Sequence, residues 1–362
     1  MKREQILTAL DEISDKHIDE AGKFPKRKKR VLWMSAVAAI LVIAIGIGIL
    51  AGPMRIRAYA VALPSDARIT KMSDYDDYNS REEYLEAVDL VRAESKQRTE
   101  ISKQAISALS PFFKQGTRQF LVTGDNENKL WSPVNAYIGL AMLTELTEGN
   151  TRKQLLDLLN ASDTETLRKQ VSAVWEKVYQ KDKHEISVLA NSLWLEKGLE
   201  YNQDTMDALG YHYYASVYQS DLGSDKTNKD IANWINDNTG NFLKDSTANI
   251  ELNQDIVLAL YSTLYFQSKW IDEFSNGKNT EEVFYTPTGE KQVTYMNKEK
   301  EQMYYYWGEN FAAISLQFNG ARGRMWLILP DEGHDPQDIL ESGHALDMIL
   351  TGENRQYASI ET

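Results

Sequence analysis

From Val31 to Gly52 the chain reads VLWMSAVAAILVIAIGIGILAG, without a charge and with Ser35 as its one polar side chain. A run of this kind predicts a helix that crosses the ~30 Å hydrocarbon layer of a membrane. A buried core helix is rarely apolar on every side over such a length. A cleavable signal has a shorter apolar core of ~7–15 residues, and here Arg55 and Arg57 stand between the run and the A-x-A tripeptide Ala58-Tyr59-Ala60. Lys26, Arg27, Lys28, Lys29 and Arg30 precede the run directly. The positive-inside rule therefore places residues 1–30 in the cytoplasm as a leader and everything after Gly52 outside. Within the leader, Ile6, Leu7, Leu10, Ile13 and Ile18 lie near one stripe and predict a short amphipathic helix over Met1–Phe24, which is expected to rest on the membrane surface, with a cytosolic partner as the alternative.

After the run the pattern turns polar. Residues 53–99 carry acidic clusters such as Asp74-Tyr75-Asp76-Asp77 and are expected to form a stalk. Ser80-Arg81-Glu82-Glu83 has the form of a capping box and predicts a helix through Leu85, Val88 and Val91. Residues 100–362 then read as a packed domain. Ile101, Ala105, Ile106, Leu109 and Phe113 repeat at helical spacing, and Leu130-Trp131-Ser132-Pro133 predicts a short buried strand running into a helix with proline in its first turn. That helix carries Ile138, Met142, Leu143 and Leu146; Thr151 is expected to cap the next one, with Leu155, Leu158 and Leu159, and Val171–Tyr179 gives another. Strand patterns follow at Ile186–Leu195, Ser216–Tyr218, Ile256–Trp270, Val283–Tyr285, Gln292–Met296, Met303–Trp307, Ala312–Gln317 and Met325–Leu329, interrupted by a helix over Lys229–Asn238. Helices first and strands afterwards, without regular alternation, predict an α+β fold.

Composition narrows the function. Among 362 residues there is no cysteine, which removes disulfides, thiolate metal sites and thiol nucleophiles, and points to a bacterial rather than a eukaryotic extracellular protein. The formal net charge of -13 argues against a nucleic-acid partner, whose phosphates it would repel. Basic residues outnumber acidic ones up to Gly52, so the acidic excess lies wholly beyond the predicted span. His17, His184, His212, His334 and His344 show no metal-ligand spacing, and there is no G-x-S-x-G elbow or phosphate-binding loop. No cofactor is expected, and no enzymatic chemistry.

Six segments, in order, carry a resemblance. Glu127-Asn128, Ser132-Pro133 and Gly149-Asn150-Thr151-Arg152 form the first; Ala190-Asn191-Ser192-Leu193-Trp194-Leu195 the second; Ile231-Ala232-Asn233-Trp234-Ile235 with Thr239-Gly240 the third. Leu264-Tyr265-Phe266-Gln267-Ser268-Lys269-Trp270, then Thr280, Phe284 and Gly289, then Trp326-Leu327-Ile328-Leu329-Pro330 complete the series. Together they resemble the serpin family across about Ile101 to Thr362. The resemblance implies a helical cluster packed on large β-sheets, and suicide inhibition of a serine (or cysteine) protease. In that mechanism the protease cleaves an exposed loop, which inserts into the large sheet as a new strand. The family's inhibitory loop lies near its C-terminus, and the resemblance stops short of it. The chain is therefore expected to be a C-terminally truncated or partial form, with no reactive bond in residues 1–362 and with unpaired sheet edges.

The resemblance also implies a polar latch at the centre of the sheet. Ser132, followed by Pro133, keeps the first family serine, while Asn135 stands at the second and Ser262 stands where the family has asparagine. Asn135 and Ser262 are expected to face each other and keep one hydrogen bond with the residue types exchanged. Trp270 is expected to be buried where an inserting strand would enter.

Overall fold

The computed structural model describes residues 60–64, 80–124, 127–181, 185–286, 288–319, 323–351 and 355–361. The leader and the predicted span Val31–Gly52 lie outside them. Among the described residues, no helix is long and apolar enough to cross a membrane. The chain divides into two compact units: Met1–Phe112, Ser132–Tyr179 and Val188–Tyr265 form the first, and Phe113–Trp131, Gln180–Ser187 and Phe266–Thr362 the second.

A single helix, α1 (Arg81–Leu121), runs through the expected boundary between stalk and domain at residues 99 and 100. Its start is capped by Ser80, whose Oγ accepts from Glu83 N at 3.1 Å. Pro111 sits inside it, and the division between the two units falls just after this proline. The first unit continues with α2 (Pro133–Glu145), α3 (Gly149–Leu158), α4 (Thr164–Val178), α5 (Gln203–His212), α6 (Asp225–Asn238) and the one-turn α7 (Lys244–Thr247).

These helices accompany a five-stranded sheet of β1 (Ala60–Ala62), β2 (Gln180–Lys181), β3 (Glu185–Glu196), β4 (Ala215–Ser220) and β5 (Leu258–Ser268), in the order β1-β4-β3-β2, with β5 also pairing β3. Part of the segment expected as a stalk thus adds a strand to the sheet. Strands β3 and β4 run parallel, from Asn191 opposite Ala215 to Glu196 opposite Ser220. Parallel neighbours need a crossover, and α5, which the apolar spacing does not predict, supplies it. Contacts between Glu196 and Val257, Asn191 and Ser262, and Ala190 and Thr263 show that β5 runs antiparallel to β3.

Strand β3 is buried continuously from Asn191 to Leu195 because both of its faces are covered. Trp194 packs with Tyr218, Leu222 and the α6 residues Ile231, Trp234 and Ile235. Trp175 of α4 donates from Nε1 to Leu189 O at 2.9 Å.

The second unit holds β6 (Thr280–Thr286) and β7 (Gly289–Tyr295) as an antiparallel pair. It also holds a four-stranded sheet in the order β10-β9-β8-β11, made of β8 (Glu299–Trp307), β9 (Phe311–Gln317), β10 (Arg324–Pro330) and β11 (Arg355–Glu361). Helices α8 (Pro336–Ser342) and α9 (His344–Thr351) cover one face of the larger sheet, burying Tyr306, Phe311 and Ala313 against Ile339, Ala345 and Met348. Period-two alternation sends Trp326 and Ile328 toward this core and leaves Met325, Leu327 and Leu329 exposed. The C-terminal part of α1 is fastened within this unit: Lys114 pairs with Asp347, and Arg118 Nε donates to Glu341 O at 2.7 Å.

Three local expectations are corrected. Leu130-Trp131-Ser132 forms no strand: Leu130 is 77 % exposed, Trp131 stacks on Phe120 with ring centroids 4.2 Å apart, and Ser132 serves as a helix cap. Two apolar residues with no neighbouring strand cannot establish a ladder. Thr151 does not cap α3, which begins at Gly149, where a φ of 58° turns the chain before Thr151 is reached. Strand β5 stops at Ser268, so Trp270 lies outside the five-stranded sheet.

Candidate functional site

Helix α2 begins where Ser132 provides an N-cap and Pro133 occupies the first turn, whose missing N–H costs nothing there. This geometry puts the Asn135 side chain beside the cap. Ser132 Oγ donates to Asn135 Oδ1, and Asn135 Nδ2 donates to Ser262 Oγ at 2.9 Å. Ser262, midway along β5, donates in turn to Asn191 Oδ1 of β3 at 2.8 Å. Asn191 Nδ2 completes the series by donating to Tyr213 O at 2.9 Å. Every member uses its donors in one direction, which fixes the orientation of both carboxamides.

The series continues through Tyr213 itself. Its hydroxyl donates to Glu145 Oε1 at 2.8 Å, at the far end of α2. Arg168 of α4 grips the same carboxylate through two bonds, Nε to Oε1 at 2.6 Å and Nη2 to Oε2 at 2.8 Å. The Glu145 side chain is 4 % exposed, so its carboxylate is shielded from water, while Arg168 is half-buried. Burial, followed by the neighbouring Glu145 charge, raises the Tyr213 phenol well above its ordinary value, and the hydrogen bond to Glu145 raises the Arg168 guanidinium. A continuous polar path therefore joins both ends of α2 to β5, β3 and α4.

The Ser262 hydroxyl bonds to two carboxamides and, among the described residues, to no imidazole or carboxylate of the kind an activated nucleophile requires. Separating β5 from β3 at this point would break the Ser262–Asn191 bond, and moving α2 from β5 would break the Asn135–Ser262 bond. Among the described residues, no group of three or more His, Asp or Glu is arranged to hold a metal ion.

Of the residues singled out in the sequence, Ser132, Pro133, Asn135 and Ser262 come together. Trp270 does not join them: it forms an isolated bridge with Phe318 and stacks on it at 4.7 Å in the second unit. Sequence reasoning passed over Asn191, Tyr213, Glu145 and Arg168. A signal was present for Asn191, a carboxamide within the apolar stretch Val188–Leu195, and for Glu145, a charge ending an apolar helix.

The family model described as Serpin (serine protease inhibitor) matches residues 112–357. Neuroserpin of Homo sapiens is 24% identical over 222 residues, 57% of this chain and 53% of the relative. The chain spans about half the length of the curated relatives it matches. Among solved structures, the thermophilic serpin tengpin in its native state aligns with a TM-score of 0.60 at 21% identity, covering 72% of this chain and 66% of that one. Ovalbumin from emu (Dromaius novaehollandiae) gives 0.64 at 16% identity, covering 71% and 72%. At these identities the structures speak for the fold alone.

Proposed function

Because the chain belongs to the serpin family, we propose that residues 100–362 form the strand-accepting body of an inhibitor of serine (or cysteine) proteases, and that the protein is not an enzyme. Strand β5 carries this reading. It is eleven residues long and, among the described residues, pairs with β3 alone. A strand with an unpartnered edge is a template for a further strand. Ser262 sits at its middle and is hydrogen-bonded to α2 and β3, where insertion of a strand would be resisted or released. In this reading the latch holds the sheet in its unexpanded form, and the cleaved loop of the inhibitor supplies the added strand. That loop is proposed to lie in sequence following the matched stretch, so no scissile residue or target protease is assigned.

We also propose that Val31–Gly52 anchors the protein as a single membrane span, with its N-terminus cytoplasmic and its main body extracytoplasmic. The uncharged run and its five preceding basic residues support this.

Two measurements test the inhibitor reading. An extended peptide rich in small residues, added to this chain, should bind saturably and raise Tm, since binding to the folded state alone stabilises it. A chain extended through the family's loop should form a covalent, denaturant-resistant complex with a serine or cysteine protease. No rise in Tm with the peptide, together with no complex, overturns the inhibitor reading in favour of a non-inhibitory surface module.

A further inference from the structure

Strand β1 is the described segment closest in sequence to the predicted span, and it is docked. Ala60 and Ala62 pair with Tyr218 and Val217 of β4. Helix α5 holds it from one side. Gln203, Asp207 and Gly210 fall at i, i+4 and i+7 and share a face of that helix. Gln203 Nε2 donates to Val61 O at 3.4 Å and to Asp207 Oδ1 at 2.8 Å. At Gly210 an added Cβ would lie 2.6 Å from Leu63 O, so the close approach of helix and strand depends on glycine.

The tether is short. Only Pro53–Tyr59 separate the predicted span from β1. Fully extended, that stretch reaches on the order of 25–30 Å. The β1 edge of the sheet is therefore confined near the bilayer if Gly52 ends the span. Leu63, Tyr201 and Tyr211 are exposed, and each lies within two residues of the contacts that hold β1. Tyrosine favours the headgroup level of a membrane, where its ring and hydroxyl are both accommodated.

We propose that β1 is a clasp, tying the membrane-proximal segment to the β4 edge of the sheet and seating that edge on the lipid headgroup layer through Leu63, Tyr201 and Tyr211. This rests on the reading of Val31–Gly52 as a membrane span.

The absence of cysteine makes the test direct. The full chain, carrying a single fluorophore at Tyr211→Cys or at Val257→Cys, is reconstituted into phosphatidylcholine–phosphatidylglycerol vesicles containing a headgroup-quencher lipid. Val257 is exposed and adjoins β5, three strands from β1, or about 14 Å across the sheet. Quenching at position 211 should exceed that at 257 by about two-fold or more, given that separation. Equal, weak quenching in protein that resists alkaline extraction overturns the seating and leaves the anchor standing. Extraction of the protein by alkali overturns the anchor and the seating together. Gly210→Ala, which forces β1 from α5, should lower quenching at 211 to the level at 257 without changing the far-UV circular dichroism. Undiminished quenching in that folded variant shows that the clasp does not seat the edge.

Discussion

Strands β3 and β10 are similarly apolar, yet their surroundings differ. In the first unit, β3 is covered on both faces, and its Asn191 joins a hydrogen-bonded path that runs from Ser132 to Arg168. In the second unit, β10 is covered on one face only among the described residues. Leu329 is 71 % exposed, and on the neighbouring hairpin Tyr285 is 74 % exposed. A two-stranded hairpin such as β6–β7 is marginal in water by itself. Apolar content alone therefore does not decide burial; a second layer must be present. The first unit has a covering layer on both sides of β3, whereas the second presents large side chains that a further layer would cover.

The comparison breaks most sharply at the buried carboxylate. Glu145→Ala leaves the buried Tyr213 hydroxyl without its charged acceptor and the half-buried Arg168 guanidinium without its partner, and should destabilise the protein by about 3 kcal/mol. Urea unfolding measures this, and a loss below about 1 kcal/mol would mean that the pair is as inconsequential as a surface one.

A pH titration is the next largest effect. Burial pushes Tyr261 from 10.0 up to about 12 and raises Tyr213 as well, and both lie in the first unit. Folding thus favours the neutral phenols. Their stabilisation is fully present below the unfolded value of 10.0 and is lost as pH rises through the folded values. The urea midpoint should fall between pH 10 and about 12, and Tyr261→Phe should flatten part of that fall.

Ser262→Ala should cost about 1–3 kcal/mol, because it leaves Asn135 Nδ2 without an acceptor and Asn191 Oδ1 without a donor. If this position works as a latch, the same variant should also accept an added strand peptide faster than the parent. An unchanged rate separates simple packing from latching.

The second unit supplies the smallest effects. Lys114→Ala removes a partly exposed ion pair with Asp347 and should change stability by less than about 1 kcal/mol. Leu329→Ser should shift stability by no more than about 0.5 kcal/mol while reducing self-association in light scattering. A large loss of stability there would show that the exposed strip is already packed in solution.

Much of the fold was legible in residue spacing. Period-two runs locate β3, β5 and β8 to β10, and the Ser-Pro pair locates the start of α2. The Asn135–Ser262 pair was legible only through the family resemblance, because 127 positions separate the two residues and no local rule links them. The crossover helix α5 escaped detection because its apolar positions, Met206 and Leu209, are few and interleaved with polar residues. Glu145, Arg168 and Tyr213 escaped for a different reason. Glutamate and arginine are usually found at the surface and tyrosine is intermediate, and only their convergence makes them internal.

By itself, then, the sequence determined the local elements, the family and the apolar run ahead of the folded body, since each depends on side-chain pattern over a short stretch or on ordered motifs. Only the tertiary structure decided that Ala60–Ala62 joins the sheet, that Trp270 stands apart from it, and which polar residues share one hydrogen-bonded path. Those outcomes depend on which distant backbones meet. Hydrogen bonding and burial are properties of that meeting rather than of any residue alone.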